Sequence, residues 1–211
     1  MKRTPLYNFG KIFVQGFLKY FIPYRVNNRE NMPEYGRVIV CCNHLSLSDP
    51  VRLAFTQQRQ IFFMSKAELF ENKALGLLLS SLGAFPVQRG KSNKTAINRA
   101  GELLENEQAL GVFIEGTRSK TGEFLQPKAG AVMLAHKYNA PILPCCITAK
   151  DGGVPKMFHK CMVSYGKLIQ PDELGIENGS GSEYRSASRF VMEKIAELRE
   201  RDLDTFLAAR V

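Results

Sequence analysis

An imidazole and a carboxylate stand five residues apart in Asn43-His44-Leu45-Ser46-Leu47-Ser48-Asp49-Pro50. No other pair in this sequence has a clearer chemical use. On a straight helix the two would lie roughly 140° apart, too far round to share a hydrogen bond. On a turn that leaves a strand and enters a helix, the chain can fold Asp49 back onto the ring. A carboxylate on one ring nitrogen fixes the tautomer and leaves the other nitrogen as a base. With a reference pKa of about 6.5, histidine suits general-base work near neutral pH. A plainer reading uses the same residues. Asp49 before Pro50 looks like a helix N-cap with proline at the first helical position, and His44 is then a loop residue without a task. The residues alone leave both readings open.

Further along, Val112-Phe113-Ile114-Glu115-Gly116-Thr117-Arg118-Ser119 carries an apolar stretch into a polar turn. Gly116 lets backbone N–H groups approach an anion closely. Arg118 offers a planar fork to phosphate oxygens, and Thr117 and Ser119 add hydroxyls. Glu115 could orient that guanidinium or hold a substrate hydroxyl. The alternative is an ordinary turn with a solvated Glu–Arg pair. Ala84-Phe85-Pro86-Val87-Gln88-Arg89-Gly90 is a second short apolar run ending in arginine. Lys66 and Lys128 are further cations at expected element ends, each readable singly as a surface charge. The prolines of Ala140-Pro141-Ile142-Leu143-Pro144 suit a strand entry or edge more than chemistry.

These residues need a scaffold, and the hydrophobic pattern supplies one. Short β-branched or aromatic runs predict strands over 37–42, 60–65, 84–87, 111–114, 142–148 and 161–165. Helical patterns lie between several of them, over 50–56, 67–82, 92–106 and 128–138, and a last helix is expected over 183–209. That alternation predicts an α/β fold with a mostly parallel central sheet flanked by helices, since parallel strands need crossover connections. The stretch 175–182 reads as a surface loop.

Composition narrows the classes. The chain has 211 residues, 45% hydrophobic and 23% charged, which fits one globular domain with an appendage and excludes disordered and collagenous chains. The five cysteines, Cys41, Cys42, Cys145, Cys146 and Cys161, make a poor disulfide framework and suggest a reducing compartment. With His44 they also make a poor zinc site, because no CxxC spacing occurs. The net charge of +9 is uneven: residues 1–29 hold six basic side chains and no acidic one.

Within that stretch, residues 6–22 carry Asn8, Lys11, Gln15 and Lys19 on one narrow polar stripe, and Pro23 ends any helix. Seventeen residues with two lysines are too few and too polar to span a bilayer. An amphipathic helix lying in the membrane interface fits better, with docking on the protein's own core as the alternative. The apolar run 74–87 is too short to span and is either core or a membrane-facing shoulder. The expected division is a membrane-association segment, 1–29, and an α/β domain, 30–211. The basic residues concentrate on an apolar helix and not on a broad face with exposed aromatics, so nucleic acid is not an expected partner.

Taken together, the motifs resemble a known family. Asn43–Asp49 resembles the N-H-x-x-x-x-D signature of the glycerophospholipid acyltransferases, and Phe113–Ser119 resembles their F-P-E-G-T-R-S block, with Ile114 where proline is usual. The run ending in Arg89 resembles the second block and the Pro141–Pro144 stretch the fourth, all in the family's order. The small size and short N-terminal segment are similar to the bacterial members that acylate 1-acyl-sn-glycerol 3-phosphate (lysophosphatidic acid) to phosphatidic acid.

The resemblance implies an enzyme and a division of labour. His44 would act as the base on the acceptor's sn-2 hydroxyl, and Asp49 would orient the imidazole. Arg118 and Arg89, with Lys66, would hold the phosphate, and Glu115, Gly116 and Thr117 would shape the pocket. It implies no metal or bound cofactor, acyl-CoA or acyl-acyl carrier protein as co-substrate, and a peripheral position on the anionic cytoplasmic face of the cell membrane. Other acceptors, such as glycerol 3-phosphate or another lysophospholipid, stay open, and so does a thioester hydrolase using the same His44–Asp49 pair with water.

Overall fold

The computed structural model of the protein describes residues 20–87 and 94–209. Seven strands form one sheet: β1 (Tyr24–Asn27), β2 (Val38–Cys42), β3 (Ile61–Lys66), β4 (Ala84–Val87), β5 (Ala109–Phe113), β6 (Ile142–Ala149) and β7 (Cys161–Tyr165). Their spatial order is β1-β7-β6-β2-β5-β3-β4. Every neighbouring pair is parallel except β6–β7. The helices are α1 (Asp49–Thr56), α2 (Lys73–Ser81), α3 (Lys94–Glu105), α4 (Gly130–Tyr138) and α5 (Gly181–Ala208). The mostly parallel α/β architecture expected from sequence is present.

The pleat decides which residues meet. On one face Ile39, Cys41, Leu110, Ile142 and Cys146 pack against α3, α4 and α5 through Leu104, Val132, Val191 and Ile195. On the other, Val38, Val40, Cys42, Leu143 and Cys145 pack with Leu53 and Ala54 of α1. A central strand buried on both sides reads as a continuous apolar run, as in β2, where every residue is buried. The same alternation sends the two members of each cysteine pair to opposite faces. All five cysteines are free and buried. Burial pushes each thiol above its ordinary range, which leaves little thiolate for nucleophilic chemistry.

Three features depart from the expected pattern. Tyr24–Asn27, placed by sequence in the N-terminal segment, forms the edge strand β1 and pairs parallel with β7. Strand β7 runs antiparallel to β6. The helix expected over 67–82 is two pieces, a 3-10 turn Ala67–Phe70 and then α2, because the Asn72 side chain accepts a hydrogen bond from Leu75 N at 3.1 Å and starts a new helix. The proposed amphipathic helix lies almost wholly outside the described residues. No described helix is long and apolar enough to cross a membrane.

Helix α5 is fastened to the β6–β7–β1 side of the sheet by a buried polar cluster. Asp202 accepts hydrogen bonds from Ser164 Oγ at 2.6 Å, Thr148 Oγ1 at 2.8 Å and Asn27 Nδ2 at 3.3 Å. Burial pushes its carboxyl above the ordinary range despite those donors.

Candidate active site

Strands β2, β5, β3 and β4 are mutually parallel neighbours, so their C-terminal ends share one edge. His44 follows β2, Glu115–Arg118 follow β5, and Lys66 ends β3. Such an edge is where parallel α/β sheets place their ligands. Arg89, just beyond β4, lies outside the described residues.

The β2 exit is locked before the histidine is reached. Strand β6 continues past the end of β2, and Asn43 bridges to it like a strand residue. Its Oδ1 accepts from Ile147 N at 2.8 Å and its Nδ2 donates to Ile147 O at 3.0 Å. The His44 main chain is then clamped from the β5 side. Its N–H donates to Glu115 Oε1 at 3.0 Å, and its carbonyl accepts from Ser119 N at 2.8 Å.

The ring is held in turn by two neighbours. Nδ1 lies 3.0 Å from Asp49 Oδ2. One face stacks on Phe113, with centroids 3.9 Å apart and planes 17° off parallel. Phe113 itself stacks with Phe63 at 6.1 Å. Gly111 makes room for Phe63, since a Cβ there would sit 2.1 Å from that ring. With Nδ1 engaged by Asp49, Nε2 faces the other way and has no hydrogen-bond partner among the described residues. The side chain retains 12% exposure.

Asp49 does not cap its own helix. Ser48 is the N-cap of α1 and makes no side-chain capping bond. Asp49 instead turns back, and its Oδ2 accepts from Leu45 N at 2.7 Å and Ser46 N at 2.6 Å as well as facing the imidazole. The carboxylate is fully buried, and a buried charge needs a partner. Arg52, one turn along α1 and only 2% exposed, supplies it, with Nη1 3.4 Å from Asp49 Oδ1. The same nitrogen donates to Ser48 Oγ, which shares a 2.9 Å hydrogen bond with Ser46 Oγ. Both serine hydroxyls are therefore tied into the arginine network and away from the ring. Arg52 escaped the sequence reading. An arginine three residues after a candidate catalytic aspartate, directly before the apolar Leu53–Phe55 run, was its available signal.

The phosphate-turn residues divide into two groups. Gly116, Thr117 and Arg118 are exposed. Gly116 adopts φ +71°, a left-handed conformation that glycine takes without strain. Its missing Cβ would lie 3.4 Å from Lys128 Cγ, which brings that lysine beside the turn. Lys66 is half-exposed and ion-paired with Glu68 at 3.1 Å.

Glu115 is a correction. It is 1% exposed, and its two oxygens accept from main-chain N–H groups, His44 at 3.0 Å and Leu125 at 2.9 Å. Its oxygens hold the histidine loop and the Leu125 main chain, and neither meets Arg118 among the described residues. Burial pushes its carboxyl up, against the two N–H groups that favour the ionised form. Ile114, where the resembled block has proline, donates its N–H to Cys42 O at 3.0 Å, extending the β2–β5 ladder by a bond that proline cannot make.

Comparison with known proteins places this geometry among relatives. A family model described as Acyltransferase matches residues 23–148, more than half of the chain. The 1-acyl-sn-glycerol-3-phosphate acyltransferase of Bacillus subtilis is 34% identical over 130 residues, 61% of this chain and 64% of that protein. That of Borreliella burgdorferi is 28% identical over 121 residues, 56% of this chain and 48% of its own. The chain thus spans less than two thirds of these relatives' lengths. The crystal structure of the 1-acyl-sn-glycerophosphate (LPA) acyltransferase PlsC from Thermotoga maritima superposes with a TM-score of 0.71 at 27% identity, covering 93% of this chain and 77% of that one. The family-model match runs from the edge strand nearly to the end of β6 and takes in the histidine turn and the glycine turn together. The chain belongs to the acyltransferase family.

Proposed function

We propose that the protein transfers a fatty acyl group from a thioester, acyl-CoA or acyl-acyl carrier protein, to the sn-2 hydroxyl of 1-acyl-sn-glycerol 3-phosphate, forming phosphatidic acid. The observation that carries this reading is the His44 Nδ1–Asp49 Oδ2 contact of 3.0 Å, with Asp49 buried and Nε2 unpartnered among the described residues. Nε2 takes the proton of the acceptor hydroxyl as its oxygen attacks the thioester carbonyl. The tetrahedral intermediate collapses, the C–S bond breaks, and the thiolate leaves with the proton returned by Nε2. Asp49 stabilises the imidazolium, as in a triad. The acceptor oxygen is the nucleophile, a role supported by the engagement of Ser46 and Ser48 with each other and Arg52.

Arg118 and Lys66, joined by Arg89, hold the acceptor's phosphate, and the N–H groups around Gly116 approach it. The names of the relatives support this acceptor. No metal or bound cofactor takes part, and nucleic acid is not a partner. The enzyme works at the anionic cytoplasmic face of the membrane, where residues 1–23 anchor it peripherally and a lipid acceptor meets a soluble donor.

The test is thiol release from palmitoyl-CoA in mild detergent, with and without lysophosphatidic acid, for the wild type and His44→Ala. A general base contributes about 10²–10⁴-fold, so acceptor-dependent release should fall by that factor in the variant. Release that ignores the acceptor would identify a thioester hydrolase. Release that responds to glycerol 3-phosphate but not to lysophosphatidic acid would reassign the acceptor.

A further inference from the structure

The connection between β6 and β7 carries five consecutive exposed residues, Lys156-Met157-Phe158-His159-Lys160. Two of them are large and apolar: Met157 is 60% exposed and Phe158 57%. Water gives no reason for such a tip, since exposing two large apolar side chains together is unfavourable. The backbone adds to the cost. Phe158 sits at φ +62°, a left-handed conformation rare for a bulky residue. Strain of this kind persists only where surrounding contacts impose it.

Those contacts lead to the exit of the N-terminal segment. Phe158 N donates to Phe21 O at 2.8 Å, and Cys161 N donates to Pro23 O at 3.1 Å. The Phe158 ring lies 5.3 Å from Phe21 and 6.1 Å, edge-on, from Tyr20, which is itself 71% exposed. An apolar cluster is therefore built at one point of the surface and left uncovered among the described residues. Its rim is basic. Lys160 is exposed, and Lys156 has only a 3.5 Å surface contact with Asp151.

Topology fixes which way the cluster faces. Strand β6 is parallel to β2, so the loop after β6 emerges from the same sheet edge as the loop after β2, which carries His44. Strand β7 is antiparallel to β6 and starts at that edge, and β1, parallel to β7, starts there too. Leu47, between His44 and Asp49, is 73% exposed on the same edge.

We propose that Lys156–Lys160, with Tyr20 and Phe21, is a membrane-docking surface that inserts Met157 and Phe158 at the headgroup boundary of an anionic bilayer. The flanking lysines reach the lipid phosphates while their stems follow the apolar side chains. Burying Met157 and Phe158 removes the apolar exposure that water leaves uncompensated. Docking there turns the His44 edge toward the lipid from which the acceptor comes. The proposal deepens the acyl-transfer reading by giving that site an orientation, but it stands on surface chemistry and can fail separately.

The chain contains no tryptophan, so Phe158→Trp makes a single-tryptophan reporter at the loop tip. It is mixed with substrate-free vesicles of phosphatidylcholine and phosphatidylglycerol. The expected result is a blue-shifted emission, quenched by lipids brominated near the headgroup end of their chains. Met157→Ser/Phe158→Ser should lower the vesicle partition coefficient about tenfold or more, with thiol release in detergent micelles unchanged. If that double variant fails to fold, the tryptophan reporter decides alone. Emission that does not move at lipid concentrations that sediment the protein would overturn the proposal. Equal partition into uncharged phosphatidylcholine vesicles would overturn the part given to the lysines. Normal vesicle insertion with no thiol release in micelles would uphold docking and sink the acyl-transfer reading.

Discussion

Glu115→Gln separates two roles that the same residue could have. If Glu115 faced the substrate, the variant would mainly raise KM for the acceptor. In the structure it is 1% exposed and each oxygen accepts one main-chain N–H, from His44 at 3.0 Å and from Leu125 at 2.9 Å. A glutamine keeps one acceptor and turns the other oxygen into an NH₂ group, which then meets an N–H head-on. One main-chain N–H loses its acceptor and the new NH₂ finds none opposite it, and an unsatisfied buried donor costs about 1–3 kcal/mol. The loss of stability should therefore be about 2–6 kcal/mol, toward the lower end if the loop shifts. Such a shift moves the clamp on His44, and a displacement of roughly 1 Å at a reacting group can cost about 10²-fold in rate. Urea denaturation and steady-state thiol release measure the two effects. The expected pattern is a lower unfolding midpoint, kcat down by about 10²-fold, and KM for the acceptor close to wild type. Unchanged stability with a raised KM would refute the argument and return Glu115 to the substrate pocket.

Two further predictions concern buried charges. Arg52→Leu leaves the Asp49 carboxylate without its cation and should cost about 3–5 kcal/mol in urea denaturation; a loss below about 1 kcal/mol would mean that the Leu45 and Ser46 N–H groups hold that charge alone. Asp202→Asn should become more stable relative to wild type as pH rises. Burial raises the folded-state pKa of Asp202, so the wild type keeps this group's full contribution below the ordinary carboxylate range and loses it as pH climbs through the raised value. Asparagine does not titrate, so unfolding midpoints compared near pH 4 and pH 7 should shift in the variant's favour at the higher pH; a shift the other way would show that the three donors outweigh burial.

The sequence by itself determined what depends on near neighbours in the chain. Strands β2 to β7 were legible as apolar runs, and α1, α3, α4 and α5 as periodic segments between them, because burial against a sheet imposes those periods locally. The His44–Asp49 contact was legible for the same reason: its partners are five residues apart and one strand-to-helix turn joins them. Arg52 was equally near but hidden, since a charged side chain in an apolar turn declares its burial only once the helix is docked. Other features depend on distant partners. Glu115 meets the His44 main chain across 71 residues and Asn43 meets Ile147 across 104. Asp202 finds Asn27 across 175. Edge strand β1 has nothing to pair with until β7 is made, and β7's reversed direction follows from which edge its loop returns to. These contacts exist only after the sheet has assembled. The tertiary structure bound Glu115 to the histidine loop and set Phe158 beside the exit of the N-terminal segment, because burial and hydrogen-bond satisfaction are properties of the assembled surface and not of the chain that forms it.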